Sequence, residues 1–425
     1  MVLEIPSRPD EINLNDERIF ESGNAHACFR ILRQSAPVHW NAGNEQFNGY
    51  WSLTKYEDVL YVSRHPELFK SSRGITAPEV RDEEMQRASY DAQGKMLIMM
   101  DPPRHVKLRR LVNKAFTPRA VSMMTPHIRE MATSILDDIA TKGRCDFVVE
   151  VAAQLPLAVI CGMLGLGKED WPLMFDLTNK VLGAGDPEYQ TEIPEEMRGT
   201  PEGAAQTNQI GFLRLLGFFG EITAARRAQR KEDLVSILVD AEVDGEKLSE
   251  EEILWFCLLL ILAGNETTRN GISGGLYSLC EHPQEKARLL ADMSLLPSAI
   301  EEILRWTSPV THMARVATQD VEIRGTRIKE GERVVMWYPA INRDEAIFPE
   351  PERFDITRSP NEHLAFGIGE HFCLGASFAR LEMQVIFEEV FRRFPDIALD
   401  GPVERLRSNF IGGIKHLPVR FTPET

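Results

Sequence analysis

The middle of the chain repeats apolar residues every three or four positions, which is the period of an amphipathic α-helix. This pattern runs from residue 104 to about residue 260. A segment at 183–207, rich in Gly, Pro and Glu, interrupts it and predicts a mobile connection. A short helix is expected at 56–68, and the polar, poorly periodic stretch at 71–100 predicts a long loop with helical fragments.

The longest predicted helix covers residues 250–280. Ser249 precedes it, and acidic residues fill its first turn, which is the pattern of a capped helix start. Further helices are expected at 297–306 and at 374–394.

Strands are expected mainly near the two ends of the chain. Alternating polarity and turn residues at 37–54 predict a hairpin. The segment 321–338 predicts a strand pair that turns at 329–331, and 408–421 predicts a closing hairpin. Between them, 343–365 is Pro-rich and irregular. The expected fold class is therefore mainly α with small β-sheets (α+β).

Composition excludes several classes of protein. The 425 residues include 48 Lys and Arg against 64 Asp and Glu, a formal charge of −16, whereas a general nucleic-acid binder has a basic excess. With 43% apolar residues the chain can bury a large core, which excludes global disorder. The longest apolar run, at 253–263, has 11 residues, whereas a membrane span needs about 20.

The N-terminus and the cysteines indicate a cytoplasmic setting. The first sixteen residues are acidic, contain two prolines, and have the pattern of neither a signal peptide nor a membrane anchor. Six cysteines lie far apart in the sequence, which favours neither a disulfide scaffold nor a zinc ribbon.

The segment 366–375, Phe-Gly-Ile-Gly-Glu-His-Phe-Cys-Leu-Gly, carries the most specific chemistry. Its Gly367 and Gly369 permit tight turns and a close approach of backbone to a flat ligand. Cys373 precedes a predicted helix, where N–H groups and the helix dipole favour a thiolate. A sheltered thiolate is a good ligand for haem iron, and His371 could donate to a carboxylate of that ligand. A lone cysteine is more often a core residue, but this pattern arises by chance on the order of 10⁻⁵ times in such a chain.

This segment resembles the haem-ligand signature of the cytochrome P450 family. Three further segments match in the family's order and spacing, and the resemblance covers roughly residues 30–421. It implies a single domain over 1–425, with 1–30 as an N-terminal extension, and a P450-like fold whose long central helix lies over a haem. The implied cofactor is haem b, with Cys373 as the ligand of the iron.

The first further segment, 263–268 with the sequence Ala-Gly-Asn-Glu-Thr-Thr, lies in the middle of the long helix and resembles the family's oxygen-binding stretch. Gly264 would leave room for a diatomic ligand beside the haem. A Thr hydroxyl can compete for a backbone carbonyl and loosen a helix locally. The resemblance implies two catalytic residues, Thr267 as the hydrogen-bond donor to dioxygen and Glu266 for proton delivery.

The second segment contains Glu302 and Arg305, an ExxR pair about 70 residues before the cysteine loop. Such pairs are common on solvated helix faces, but this position matches the family. Residues 351–354, Pro-Glu-Arg-Phe, resemble the family's PERF stretch. The resemblance implies that Glu302, Arg305 and Arg353 form a buried network, structural rather than catalytic, that fixes the loop carrying Cys373.

The third segment, 101–111, contains His105 and Arg109, which are four residues apart and so share a helix face. The resemblance implies that these two residues, together with Arg315 and His371, bind the haem propionates, and that Phe366 and Gly264 also contact the cofactor. An apolar substrate pocket is expected from Leu97, Ile98, Leu260, Ala263, Val310, Met313, Phe410 and Ile411.

The resemblance implies a monooxygenase that inserts one atom of O2 into an apolar substrate. The sequence is most similar in character to bacterial members that oxidise terpenoids, sterol side chains or methyl-branched lipids. Electrons would come from an iron–sulfur ferredoxin with its NAD(P)H-dependent reductase, without a membrane or nucleic-acid partner. An acidic ferredoxin would dock on a basic patch near the cysteine, formed by Arg104, Lys107, Arg109, Arg110, Lys114 and Arg380.

Two other functions stay open at this point. One is a peroxygenase that uses hydrogen peroxide, and the other is a haem protein that binds ligands without turnover. The Glu266-Thr267 pair favours the dioxygen-dependent enzyme, since proton relay is needed only when dioxygen is the oxidant.

Overall fold

Helices make up most of the protein, as the apolar period predicts. The computed structural model describes residues 6–424, except for the side chains at 88, 89 and 92. Residues 1–5 of the expected N-terminal extension lie outside that range. The helices are α1 (Arg18–Glu21), α2 (Ala25–Ser35), α3 (Tyr56–Arg64), α4 (Glu83–Gln93), α5 (Arg104–Asn113), α6 (Pro118–Met123), α7 (Thr125–Asp137), α8 (Gln154–Met163), α9 (Trp171–Leu182), α10 (Pro201–Ala228), α11 (Leu234–Asp240), α12 (Glu250–Glu281), α13 (Pro283–Ala291), α14 (Leu296–Thr307), α15 (Tyr338–Ile341) and α16 (Ala376–Arg393).

The strands are short and form small sheets. They are β1 (Val38–Asn41), β2 (Phe47–Asn48), β3 (Tyr50–Leu53), β4 (Phe69–Lys70), β5 (Glu79–Val80), β6 (Arg144–Asp146), β7 (Glu242–Val243), β8 (Glu246–Lys247), β9 (His312–Ala317), β10 (Val321–Ile323), β11 (Thr326–Ile328), β12 (Arg333–Trp337), β13 (Ala398–Leu399), β14 (Glu404–Arg405), β15 (Ile414–His416) and β16 (Pro418–Arg420). The predicted fold class, mainly helical with small sheets, is confirmed.

Helix α12 is the long helix predicted from the sequence. It begins after Ser249, whose side chain accepts the backbone N–H of Glu252, while the Glu252 side chain accepts the N–H of Ser249. This reciprocal capping box satisfies two N–H groups that the first turn leaves free. The helix packs against α8, α9, α10, α14 and α16 and is buried on most sides. It therefore runs through the largest core of the protein, as a helix that is apolar all round must.

The main sheet joins the two ends of the chain in the order β1-β3-β12-β9-β4. Its first two strands form the predicted hairpin, with Val38 opposite Leu53. Strand β12 pairs in parallel with β3 and antiparallel with β9. Residues 12–32 pack on this sheet, where the ring of Trp337 lies 5.8 Å from that of Phe20 and 5.4 Å from that of Phe29. The sheet thus brings residues 38–53 beside residues 312–337.

The pairing predicted within 321–338 is wrong. Strand β10 turns into β11 at Arg324 and Gly325, both with positive φ (51° and 76°), and not at 329–331. The segment 329–331 instead leads to β12, which pairs with β9. Strand β12 is buried along its whole length, so it needs a neighbour on each edge rather than one hairpin partner.

The hairpin predicted at 408–421 is also wrong. Only Leu417 separates β15 from β16, and a hairpin loop needs at least two residues. The two strands therefore enter different sheets, in which β15 pairs with β14, and β16 pairs with β13 and β6.

The connection predicted at 183–207 ends earlier than expected, because α10 already begins at Pro201, with Thr200 as its cap. The remaining part is tied to the C-terminal strands. Asp186 accepts the ammonium of Lys415 at 3.1 Å, and the His416 ring lies between Glu188 (2.9 Å) and Asp146 (2.5 Å). Within residues 6–424, no helix is apolar and long enough to cross a membrane.

We predict that His416 stabilises the fold in a pH-dependent way. Burial opposes the charged ring, but hydrogen bonds to Asp146 and Glu188 outweigh it and raise the pKa of His416 above its ordinary value. A raised pKa in the folded state adds stability at pH values below the ordinary pKa, about 6.5, and that stability is lost as the pH rises through the raised pKa. Denaturant unfolding should therefore show a larger stability loss from His416→Asn at pH 6 than at pH 9.

Lys415→Gln is the matched control. Its ammonium holds the same connection and stays charged over this range, so its effect should be equal at both pH values. An equal loss at pH 6 and pH 9 for His416→Asn would contradict the prediction.

Candidate functional site

One cavity between α5, α8, α12, β9 and the loop before α16 collects most of the predicted site residues. The predicted cofactor residues that line it are His105, Arg109, Gly264, Arg315, Phe366, His371 and Cys373, together with the predicted catalytic residue Thr267. Segments almost three hundred residues apart in the sequence therefore meet at one place.

The loop 366–375 presents Cys373 at the start of α16. Its backbone N–H donates to the carbonyl of Phe366 at 2.9 Å, which closes the loop. Gly367 and Gly369 have positive φ (67° and 78°), as tight turns require. A Cβ on Gly369 would lie 2.5 Å from the carbonyl oxygen of Ser63 on α3, so only glycine fits there. The predicted role of these glycines in turning the backbone is confirmed.

The protein surroundings alone disfavour the thiolate form of Cys373. Burial raises its pKa above the ordinary value, and the backbone N–H groups of Gly375 and Ala376 with the guanidinium of Arg109 only partly offset this. The N–H groups at the helix start favour a thiolate, as the sequence predicts, but desolvation has the larger effect on the pKa of Cys373. A metal cation bound to the sulfur would supply the missing positive charge.

Beside the sulfur lies a cluster of basic side chains, which we call the basic cluster: His105, Arg109, Arg315 and His371. The rings of the two histidines are 4.2 Å apart. His105 is 1% exposed, and both of its ring nitrogens lack a partner within residues 6–424. Burial lowers the pKa of His105 to about 4, and burial together with Arg315 lowers the pKa of His371 to about 2.

No carboxylate forms an ion pair with Arg109 or Arg315 among the described residues. Arg315 is 7% exposed and donates only to the backbone carbonyl of Ala314, at 2.7 Å. A buried guanidinium without a counter-charge is costly. The basic cluster therefore fits a ligand that brings its own carboxylates, such as a porphyrin with two propionates.

Arg109 also has a role that the sequence did not indicate. Its guanidinium donates to the carbonyl oxygens of Glu370, at 3.1 Å, and Phe372. It therefore holds the loop 366–375 from α5, in addition to lying in the cavity.

Helix α12 passes the cavity with Ala263, Gly264 and Thr267. The Thr267 hydroxyl donates to the carbonyl of Ala263 at 2.8 Å, yet the helix continues unbroken over Glu250–Glu281. A Cβ on Gly264 would lie 3.1 Å from the Ile160 side chain, so this glycine also allows the close approach of α8 to α12.

Glu266 does not line the cavity, and its predicted role in proton delivery stays a prediction. Its buried carboxylate pairs with Arg269, whose other nitrogen donates to Asn179 at 2.8 Å. Successive helix residues rotate by about 100°, so Glu266 faces away from the side that carries Gly264 and Thr267. Burial raises the pKa of Glu266, and Arg269 opposes that shift.

Six of the eight expected pocket residues line the cavity, namely Leu97, Ile98, Leu260, Ala263, Val310 and Met313. Phe410 and Ile411 do not. Ile411 is 2% exposed and pairs through its backbone with Val310, and the Phe410 ring packs against His312 at 5.3 Å. Both residues act one layer behind the cavity, as support for β9.

Sequence reasoning missed further apolar lining residues, which are Phe116, Val159, Ile160, Met163, Phe256 and Leu259. Three of them lie on α8. Its apolar run at 155–163 was the available signal, but such a run is equally typical of a core helix.

The predicted buried pair Glu302 and Arg305 lies behind the loop. Both side chains are fully buried, and two N–H···O bonds of 2.7 and 2.8 Å join them. Arg305 also donates to the carbonyl of Asn342 at 2.8 Å, and the Asn342 side chain accepts the N–H of Leu364 at 2.8 Å. This chain of bonds links α14 to the residue two positions before the loop.

Arg353 was predicted to belong to this network, and that prediction is wrong for its side chain. Its side chain is 55% exposed and pairs with Glu350 at 3.3 Å, and only its carbonyl accepts from Arg305. Arg358 takes the expected place, 3.1 Å from the Glu302 carboxylate. The chain turns between the two arginines. Arg353 therefore joins the network through its backbone carbonyl, and Arg358 joins it through its side chain.

A second clamp holds the loop from α16. Arg380 donates two hydrogen bonds to Glu301, at 2.6 and 2.8 Å, and its guanidinium stacks on the Phe366 ring at 4.5 Å. His363 lies 3.1 Å from the same carboxylate. Burial opposes ionisation, but the bonds from Arg380 and His363 lower the pKa of Glu301 to about 2.

Comparisons with known proteins agree with this geometry. The profile described as "Cytochrome P450" matches residues 216–395. A methyl-branched lipid omega-hydroxylase of Mycobacterium tuberculosis is 40% identical over 99% of this chain and 96% of its own. A steroid C26-monooxygenase of Rhodococcus jostii is 36% identical over 98% of this chain and 86% of its own.

A solved structure gives the same picture. A cytochrome P450 of Mycobacterium marinum, in complex with pseudoionone, has a TM-score of 0.87 and is 34% identical over 99% of this chain and 100% of its own.

We predict that Arg305→Lys destabilises the protein strongly. Lysine keeps the charge but loses the two-pronged bond to Glu302 and the bond to Asn342, leaving a buried carboxylate poorly paired. Breaking such a pair costs about 3–5 kcal/mol. The free energy of unfolding from denaturant titration, and the amount of haem that purified protein retains, should both fall.

Arg353→Lys is the matched control, because its side chain is exposed and outside the network. Its unfolding free energy should change by less than about 1 kcal/mol. Equal losses for the two variants would mean that the buried pair does not fix the loop.

Proposed function

Because the chain belongs to the cytochrome P450 family of haem b monooxygenases, we propose that Cys373 binds the haem iron and that the enzyme hydroxylates the chain end of an apolar methyl-branched lipid or sterol. The observation that supports this most directly is the convergence, in one cavity, of a half-buried thiol, a basic cluster without carboxylate partners among the described residues and an apolar lining.

The described residues fit the cofactor at both ends. Cys373 would supply the sulfur ligand, and the basic cluster would pair with the two propionates. Both ring nitrogens of His105 lack a partner among the described residues, so the ring can hydrogen-bond to a carboxylate. Bound haem supplies the activation of O2 and the insertion of one oxygen atom into a C–H bond, while the other atom leaves as water.

The part of the cavity between α8, α12 and β9 is suited to an apolar chain. The lining side chains on α8 and α12 are aliphatic or aromatic apart from Thr267 and Thr268, and the charged and basic lining residues lie on α5, β9, the cysteine loop and α16. Such a lining binds hydrocarbon and fixes its position by shape rather than by hydrogen bonds. Both curated relatives act, by name, at the end of a chain (omega, C26), which supports a substrate that enters end first.

Thr267 is the residue that would hydrogen-bond the oxygen species at the reacting end. Its hydroxyl lies at the cavity and is held by the Ala263 carbonyl, which orients the oxygen and leaves its lone pairs as acceptors for a proton carrier.

The surface near the cysteine loop favours an iron–sulfur ferredoxin as the electron donor. The basic patch available for docking is smaller than the sequence indicated. Three of the six predicted cations pair with carboxylates, Arg104 with Glu252, Lys107 with Asp244 and Arg380 with Glu301. Arg110 and Lys114 are exposed and have no carboxylate partner among the described residues. Phe372, 42% exposed beside the cysteine, adds an apolar contact.

The function is tested by turnover of a methyl-branched fatty acid and of a sterol with a ferredoxin, its reductase and NAD(P)H. We expect a terminally hydroxylated product, and an absorption change of the haem on substrate binding. Cys373→Ser should abolish both the product and the thiolate-type spectrum of the reduced CO complex, because an uncharged hydroxyl is a weak iron ligand.

Cys280→Ser is the control, since that thiol lies outside the cavity lining. Retention of the thiolate spectrum in Cys373→Ser would refute the ligand assignment. Equal turnover with hydrogen peroxide alone would identify a peroxygenase, and binding without any product would identify a ligand-binding protein.

Electron transfer from the ferredoxin should slow as salt increases, because screening weakens the attraction between the basic patch and an acidic partner. Lys114→Glu combined with Arg110→Glu should lower the second-order reduction rate by roughly tenfold or more at low salt. Stopped-flow reduction of the haem measures this rate.

Arg227→Glu, an exposed charge reversal on α10, is the control and should leave the rate unchanged. A rate that depends neither on salt nor on Arg110 and Lys114 would rule out docking at this patch.

A further inference from the structure

The guanidinium of Arg380 lies against both ends of the loop 366–375. It stacks on the Phe366 ring, 4.5 Å from the ring centroid, and it donates to the carbonyl of Ala376, the first residue of α16, at 3.5 Å. The carbonyl of Phe366 accepts the N–H of Cys373, so the stacked ring belongs to the residue that closes the loop. A positive charge is therefore held beside the segment that presents the sulfur.

The ring of Phe366 lies between this charge and the cavity. Phe366 lines the cavity together with Cys373, whereas Arg380 does not. The face of an aromatic ring attracts a cation, which favours the guanidinium at this position. The ring also excludes water, so the charge acts through a medium of lower dielectric constant than solvent and is screened less.

The negative charge that balances Arg380 comes from a different helix. Nε and Nη2 of Arg380 donate to Glu301 on α14, at 2.6 and 2.8 Å, while Nη1 is the atom that donates to Ala376. Glu301 does not line the cavity, and among the described residues its carboxylate has one other polar partner, His363 at 3.1 Å. Of the two charges, the positive one is thus the one that contacts the loop and the start of α16.

Stability alone does not account for this ion pair. The side chains of Arg380 and Glu301 are 38% and 31% exposed, whereas those of Glu302 and Arg305 are fully buried. Ion pairs this exposed contribute little to folding. The buried pair already fixes the course of the chain into the loop, so the stacked position of Arg380 can serve an electrostatic role.

We propose that Arg380 and Glu301 together set the reduction potential of the haem bound to Cys373, and that Arg380 raises it. This inference rests on the proposed function, in which Cys373 is the iron ligand. Reduction by the ferredoxin adds one electron to the bound haem, Fe³⁺ + e⁻ → Fe²⁺, and neither makes nor breaks a bond in the protein. A nearby positive charge stabilises the reduced state, which has one more electron, and a negative charge opposes it.

An electrostatic role and a mechanical role predict different results for the two partners. Arg380→Gln removes the positive charge and leaves Glu301 unbalanced, whereas Glu301→Gln leaves Arg380 unbalanced. The reduction potential should therefore fall in the first variant and rise in the second. Loosening of a mechanical clamp would shift the potential in the same direction in both, because each change breaks the same two hydrogen bonds.

The test is a spectroelectrochemical titration of the haem-loaded enzyme at low salt. Arg380→Gln should lower the equilibrium constant of reduction about tenfold, a shift of about 59 mV for a one-electron couple. Glu301→Gln should raise that constant by a smaller factor, because its charge does not contact the loop. Arg380→Lys keeps the charge and should recover most of the potential that Arg380→Gln loses.

Arg129→Gln is the matched control. Arg129 is 40% exposed and also pairs with two glutamates, Glu388 and Glu389, but these lie toward the end of α16 that is remote from the loop. This variant should keep the wild-type potential. In every variant the haem content and the thiolate-type spectrum of the reduced CO complex should match the wild type, which shows that the sulfur ligand is retained and that the shift comes from charge.

The proposal is overturned if Arg380→Gln and Glu301→Gln shift the potential in the same direction, or if their shifts do not exceed that of Arg129→Gln. Failure of the proposed function would appear differently, as opposite shifts in the two variants of a protein that forms no product from the methyl-branched fatty acid or the sterol.

Discussion

The position of one sulfur atom depends on a buried ion pair that never touches it. Glu302 and Arg305 are shielded from water and bound to each other. Arg305 also donates to three backbone carbonyls within 342–353, and Glu302 accepts the N–H of Asp355 and bonds from the side chains of Arg358 and Asn361. Because an unpaired charge at this depth costs several kcal/mol, the surrounding segment has few alternatives to the observed course. The irregular chain 343–365 thereby gains the rigidity that regular secondary structure provides elsewhere. Asn342 passes this constraint on to Leu364 and so to the loop that carries Cys373.

The opposite constraint acts inside the cavity, where charges are left without partners. Arg315, His105 and His371 form a buried region of positive or potentially positive charge, and the Cys373 thiol is held away from the anionic form. The apoprotein is therefore electrostatically incomplete at two points, one that favours anions and one that favours a cation beside sulfur. The two propionates of a haem would supply the negative charge at the first point, and its iron would supply the positive charge at the second. Cofactor binding and local stability are consequently linked.

Sequence reasoning succeeded where a single local pattern determines the structure. The capping box at Ser249 and Glu252, the glycine turns at 367 and 369, and the i, i+4 placement of His105 and Arg109 need only their neighbours in the chain. It failed where the outcome depends on distant segments. The pairing of β12 with β9 and β3, and the separation of β15 from β16, are decided by which edges remain free in the folded protein.

The same distinction holds for the site. Arg353 matched a motif, but the turn that follows it places Arg358 on Glu302 instead. Glu266 matched a motif, but helix rotation directs it to Arg269. A motif identifies a residue type in the sequence, whereas the partner of its side chain is seen only in the folded structure.

The parallel contact between β3 and β12 has a consequence for synthesis of the chain. Residues 51–53 pair with 334–336, about 280 residues later. At translation rates of about 5–20 residues per second, the first strands leave the ribosome roughly 15–60 s before their partner exists. During that interval the apolar surface around Phe29 and Tyr50 cannot pack against the complete sheet, because Trp337 has not been synthesised. The amino-terminal region is thus the part of the nascent chain that waits longest for its native neighbours.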